Sequence, residues 1–131
     1  MALPNGAGGY QVGDGNLGEV TFGTSAIPTA YTAAATLTTA DLAGGAVVYT
    51  SGSTADLTLP AVSVVDADLS SAKVNSSFEF SLIATSTGVP TIVVGTGWTL
   101  VGVGLGIASR SVLFRAVKTS ATTYNLYRIA G

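Results

Sequence analysis

The sequence contains no cysteine and no histidine. The first absence excludes disulfides and thiolate metal sites. The second removes the commonest general base, the commonest metal ligand and the side chain whose charge changes near neutral pH. Charge is scarce as well: 9% of the 131 residues are Asp, Glu, Lys or Arg, against about 25% in an average soluble domain. A net charge of −2 supplies no field to attract nucleic acid, whose binding rests on neutralising phosphates. Hydrophobic residues, at 47%, are ordinary, so Ser, Thr and Gly occupy the places that charges usually fill. A surface this poor in charge is expected to be covered by partners.

No residue from Phe80 to Ser109 is charged, yet no membrane helix is predicted there. Pro90, Gly95, Gly97, Gly102, Gly104 and Gly106 interrupt the stretch, and its apolar residues are β-branched and grouped in short runs. The opening Met-Ala-Leu-Pro-Asn-Gly has neither the basic nor the apolar region of a signal peptide. The length fits one domain, divided into an extended N-terminal arm over residues 1–31 and a β domain over residues 32–131. In the arm, Asn5-Gly6-Ala7-Gly8-Gly9 and Gly13-Asp14-Gly15-Asn16 break every helix or long strand. Tyr10, Val12, Leu17 and Phe22 stand isolated among these glycines, and we read them as anchors for a partner's groove, on an arm that orders only when docked.

From Tyr31 onward the pattern predicts an all-β fold, a compact sandwich or barrel with one short helix. Thr39–Ala43 followed by Gly44-Gly45 reads as one N-capped helical turn ended by glycine. Asp56-Leu57-Thr58-Leu59 alternates, with both leucines facing inward. Residues 60–71 form the expected helix, because Val62, Val65 and Leu69 recur at helical spacing after Pro60. Strands follow around Phe78–Ile83, Thr91–Val94, Trp98–Val101, Ser111–Val117 and Thr123–Ile129. Residues 119–122 are expected to form the hairpin loop between the last two. No internal repeat stands out.

Catalytic motifs do not assemble. Gly13-Asp14-Gly15-Asn16-Leu17-Gly18 matches the dinucleotide fingerprint but lacks the preceding strand, the following helix and the acidic residue beyond them, so it reads as a turn. Asp66 and Asp68 point to different sides of a helix and cannot share a ligand unaided. Serines and threonines have no histidine to activate them, and Ser70-Ser71-Ala72-Lys73 lies on a polar loop. No catalytic residue, cofactor or metal is expected, and neither nucleic acid nor a membrane is expected as a partner. Arg110, Arg115, Lys118 and Arg128 gather in the last strands, with Arg115 and Arg128 as possible cross-strand neighbours. We assign Arg110, Arg115 and Arg128 to salt bridges between subunits. Trp98, beside Gly97, is either a core anchor or an interface contact.

The opening Leu3-Pro4-Asn5-Gly6 and the run Gly8 to Glu19 resemble the N-terminal arm of small virion proteins of tailed phages, especially cyanophage-like ones. Ala35–Leu42 with Gly44-Gly45, Leu57-Thr58-Leu59-Pro60, Ser77–Phe80, Thr99–Gly102 and Tyr124–Arg128 resemble segments of phage decoration and fibre-tip domains. The resemblance implies a capsid decoration, or cement, subunit: a homo-oligomer, expected to be a trimer, that sits on the virion surface and clamps the major capsid protein. A trimeric tail-fibre or receptor-binding tip is the alternative, with a host glycan or surface protein as its partner.

Overall fold

The structure, a computed structural model, describes residues 26–131. The expected arm anchors Tyr10, Val12, Leu17 and Phe22, and the glycine motif at 13–18, lie outside the described residues. The elements in chain order are β1 (Ala30–Tyr31), β2 (Ala35–Thr36), α1 (Thr39–Ala43), β3 (Ala46–Tyr49), β4 (Ala55–Thr58), α2 (Val62–Asp68), β5 (Ser77–Ala84), β6 (Pro90–Val93), β7 (Trp98–Val101), β8 (Ser111–Ser120) and β9 (Thr123–Ala130). The fold is all-β with short helices, as the strand pattern predicts. There are two helices among the described residues, and the second is shorter than residues 60–71. Three β-branched valines in its seven residues and the lack of a side-chain cap at Ala61 give it little local support.

Two sheets enclose the core. A six-stranded sheet runs in the order β1-β3-β5-β8-β9-β7, and a three-stranded sheet in the order β2-β4-β6. The first six strands alternate between these sheets and pair with one another only in parallel, each with its counterpart in the next turn of the chain. Three successive coils are therefore stacked, each giving one strand to either sheet, with α1 and α2 in the returns of the first two. Tyr31 aligns with Tyr49 and then Ala84 in the large sheet. Ala35 aligns with Leu57 and then Ile92 in the small one. Backbone bonds repeat with the coils: Thr50 N–H donates to Tyr31 O at 2.9 Å, and Thr85 N–H to Tyr49 O at 3.0 Å. This is the internal repeat that the sequence does not display, because equivalent connections differ in length, 32–34 against 50–54 and 37–45 against 59–76, and hide the register.

The large sheet begins earlier than the expected domain boundary, since Ala30–Tyr31 already pairs with β3. At its other side β8 and β9 form an antiparallel hairpin, and their tight turn leaves only Ala121 and Thr122 between the strands. The side chains of Tyr49, Leu57, Leu59, Phe80, Leu82, Ile92, Val112, Phe114 and Leu126 fill the space between the sheets, each at most 2% exposed. Phe80 and Phe114, direct cross-strand neighbours, stack with ring centres 5.5 Å apart, a geometry that adds to their area burial. Leu42, Val62 and Val65 bring the helices into the same cluster. Phe78 is only half-buried at the end of β5.

The first helix is held by a reciprocal cap. Asp41 N–H donates to the Thr38 hydroxyl at 3.2 Å, and Thr38 N–H donates to the Asp41 carboxylate at 3.0 Å. Gly45, at φ +86°, turns the chain out of the helix where a Cβ would be strained. The Tyr31 hydroxyl also donates to Asp41 and ties the first strand to the helix. Burial alone would raise the Asp41 pKa, but hydrogen bonds from Tyr31, from the Thr38 amide and hydroxyl, and from Thr29 hold it below the ordinary value. Burial first, then the hydrogen bond and the negative charge of Asp41, push Tyr31 up to about 12.

Two expectations follow. Phe80→Ala removes a fully buried ring and should cost about 3–5 kcal/mol in urea unfolding, whereas a loss below about 1 kcal/mol would contradict the stacked core. The Tyr31–Asp41 bond should also leave a pH signature. Between the ordinary tyrosine pKa near 10 and about 12, the unfolded chain releases a proton that the folded chain keeps, so stability falls as pH rises through that window. Asp41 acts oppositely: its contribution is present above the ordinary aspartate pKa of about 3.9 and is lost as pH falls below it. Tyr31→Phe should flatten the alkaline decline in melting temperature, and an unchanged profile would rule out this bond as its source.

Candidate interaction surface

The residues expected to contact neighbouring subunits fall into three different settings. Trp98 belongs to the core: it is 7% exposed, its ring centre lies 5.1 Å from that of Tyr124, and its indole N–H donates to Pro60 O at 2.8 Å. That bond satisfies the polar atom which burial would otherwise leave costly. Of its two readings, core anchor and interface contact, the structure selects the first. Arg115 and Arg128 are not cross-strand neighbours. Arg115 opposes Tyr127 and Arg128 opposes Phe114, so the two arginines leave the sheet on opposite faces.

Arg128 is used within the chain. Its guanidinium donates to Val103 O at 2.8 Å and Leu105 O at 2.5 Å. Arg115 lies on the outer face, where Nη2 meets Glu79 of the same chain at 2.5 Å, and both side chains are more than 40% exposed. Arg110 is exposed in the turn before β8. Lys118, grouped with these cations in the sequence, forms an ion pair with Asp66 at 2.9 Å, and Tyr124 donates to the same carboxylate oxygen at 3.3 Å. Burial first, then the Asp66 charge and the hydrogen bond, raise the Tyr124 pKa. Asp66 is thus a pinning residue that ties α2 to the hairpin. It also borders an open cleft of about 390 Å³ lined by Ala61, Val62, Ser63, Thr96, Gly97 and Thr122. Among the described residues no group of three acidic residues could hold a metal ion, and no helix is long and apolar enough to cross a membrane.

The surface that stands out is built by residues 102–106, Gly-Val-Gly-Leu-Gly. This segment leaves β7 and crosses to the outer edge of β6, where Ile92 N–H donates to Gly104 O and Gly106 N–H to Pro90 O, both at 2.8 Å. The alternation has a steric cause. A Cβ on Gly104 would lie 2.2 Å from Ile92 O, and one on Gly106 would lie 2.6 Å from Pro90 O. The glycine side must therefore be bare for the backbones to meet. The other side presents Val103 and Leu105 to solvent, 58% and 48% exposed. Val101, at the end of β7, and Val93, on β6, are also exposed on the strands this segment connects. Arg128 holds the crossing in place from beneath through the two carbonyls. The sequence signal was present as glycine at every second position, but glycines also mark turns, and only the pairing with β6 distinguishes the two uses.

The chain matches no protein-family model, no curated protein and no solved structure.

Gly104→Ala tests the steric account. It should lower stability by more than the roughly 1 kcal/mol typical of point substitutions, because the added methyl meets backbone oxygen rather than a movable side chain. Denaturant midpoints for Gly104→Ala and Val103→Ala would decide: the exposed Val103 should tolerate the change, and equal midpoints would refute the close approach.

Proposed function

We propose that this chain is a virion structural protein of a tailed phage, a capsid decoration subunit that binds and stabilises the major capsid protein lattice. It works as a homotrimer on the capsid surface, without catalysis or a cofactor. The observation that carries this reading is the apolar stripe of Val103 and Leu105, with Val93 and Val101 exposed on the strands it connects, in a part of the chain that has no charge from Phe80 to Ser109. Monomeric soluble proteins keep few contiguous apolar patches of this kind unless a partner covers them. The segment that displays it is held rigidly, by close backbone contact with β6 and by Arg128, so little ordering entropy is lost on docking. The resemblance of the arm and body to phage decoration proteins supplies the identity of the partner. Modest single contacts, repeated by a trimer over a symmetric lattice, add up through avidity.

The second reading, a trimeric tail-fibre or receptor-binding tip, is favoured by the open cleft beside Asp66 and Thr96, a concavity of the kind that takes a small ligand group. Copy number separates the two: a decoration protein is present in hundreds of copies per virion, and a fibre in a few tens at most, an expectation taken from the resemblance.

Purified protein added to capsids that lack it should co-sediment with them. Two changes should each release it while leaving the domain folded: deletion of residues 1–25, which carries the anchors Tyr10, Val12, Leu17 and Phe22, and the paired substitution Val103→Ser with Leu105→Ser. Retention of both variants at the wild-type level would refute the decoration reading.

A further inference from the structure

The outer face of the six-stranded sheet is a second feature that the stripe does not explain. A sheet with one face in water normally alternates apolar and polar residues. Here that alternation is interrupted at several outward positions by apolar residues, one in β3, one at the end of β5 and two in β8, among Ser77, Glu79, Ser81, Ser111 and Arg115. Val47, Leu82, Val112, Phe114 and Ala116 point into the core. Val48, Ile83, Leu113 and Val117 therefore point outward, and they are only partly shielded by their neighbours on the sheet. Both helices contribute to the inner cluster, and no described element packs over this face. Outward apolar residues on neighbouring strands are favoured where a partner covers them.

The charges on the face indicate what covers it. Glu79 and Arg115, direct cross-strand neighbours, are the only ionic residues pointing outward from β3, β5, β7, β8 and β9. Arg115 spends Nε and Nη2 on one oxygen of Glu79, at 2.8 and 2.5 Å. Its Nη1 and the other carboxylate oxygen, Oε1, have no partner among the described residues. The face is neutral overall, so it offers nothing to a partner of net charge. It does offer one donor and one acceptor, side by side, that complement each other across a rotation axis.

We propose that copies of this chain meet through this face around a cyclic axis. The Arg115 Nη1 of one copy bridges to the Glu79 Oε1 of the next, and Leu113, Val117 and Ile83 close around the pair. Plus and minus then alternate around the axis, each arginine lying between two glutamates. Such an arrangement closes for three copies as readily as for two, and every subunit uses the same residues. The inference rests on the assembly reading only in expecting more than one copy.

Light scattering on the purified full chain at micromolar concentration tests it, with the fluorescence of the buried Trp98 reporting the fold. The wild type should have the mass of a closed oligomer. Arg115→Glu should shift that mass to the monomer, because two carboxylates then face two more across each contact. The exchanged pair, Glu79→Arg with Arg115→Glu, should restore it. Glu79→Gln keeps size and shape, and it should weaken self-association at least about tenfold, so it decides the matter if Arg115→Glu fails to fold. A wild-type monomer, an Arg115→Glu variant that stays oligomeric, or a Glu79→Gln variant that associates like the wild type would each overturn the proposal. A wild-type monomer that still coats capsids would overturn this inference alone. An oligomer that dissociates as expected but never binds capsids would overturn the capsid reading alone.

Discussion

Leu57 and Ile92 from one sheet and Phe80, Leu82 and Phe114 from the other meet in a layer from which water is excluded. Closing that layer requires each coil of the chain to return to the same height as the one before it. The parallel registers Val47 to Leu82 and Leu57 to Ile92 are how it does so. A slip of one residue in either sheet would turn every leucine outward, so the coil register and the core are a single constraint. The helices, the cap at Thr38 and the Asp66–Lys118 pair serve it by fixing the length and direction of each return.

The same constraint explains where apolar residues are left outside. With the inner faces filled, residues 102–106 can only cross to the edge of β6 by lying flat against it, and the glycines allow that approach. Val103 and Leu105 are then displayed by geometry rather than by a lack of core to join. The outer face of the large sheet differs in kind, because its apolar residues lie between ordinary strand neighbours and carry one matched ion pair. One surface is a rigid stripe with no charge, and the other is a sheet face with one charge of either sign. That contrast is why different partners are assigned to them.

Much of this was legible in the sequence. Alternation at Leu57 and Leu59 identified the inner face of that strand correctly, since period-two patterning reports which side of a sheet a residue takes. Thr39–Ala43 before Gly44-Gly45 marked the first helix and its end. What was not legible is which strand lies beside which. Alternation is the same in a hairpin and in a coil, and unequal loops hid the equivalence of Tyr31 with Tyr49 and of Thr36-Leu37 with Thr58-Leu59. The role of Arg128 was hidden for a related reason: only the pairing of Arg115 with Tyr127 and of Phe114 with Arg128 shows that the two arginines take opposite faces. Trp98 could be read two ways from its neighbours, and only the carbonyl of Pro60, far away in sequence, selects the core.

The parallel coils also bear on how the chain reaches this state. Apart from the β8–β9 hairpin, each strand pairs with one that is separated from it by a helix, a loop or an entire other strand. Such contacts pay the entropy of closing a long loop before any hydrogen bond is gained. Domains dominated by them fold in milliseconds to seconds rather than microseconds. The hairpin is the one sizeable piece that can form locally, and β5 joins it along most of its length, leaving the earlier coils to be laid down onto β5 in turn. A chain assembled in that direction keeps the edges of β3 and β4 open until last, which places its period of greatest risk for mispairing at the end next to the arm.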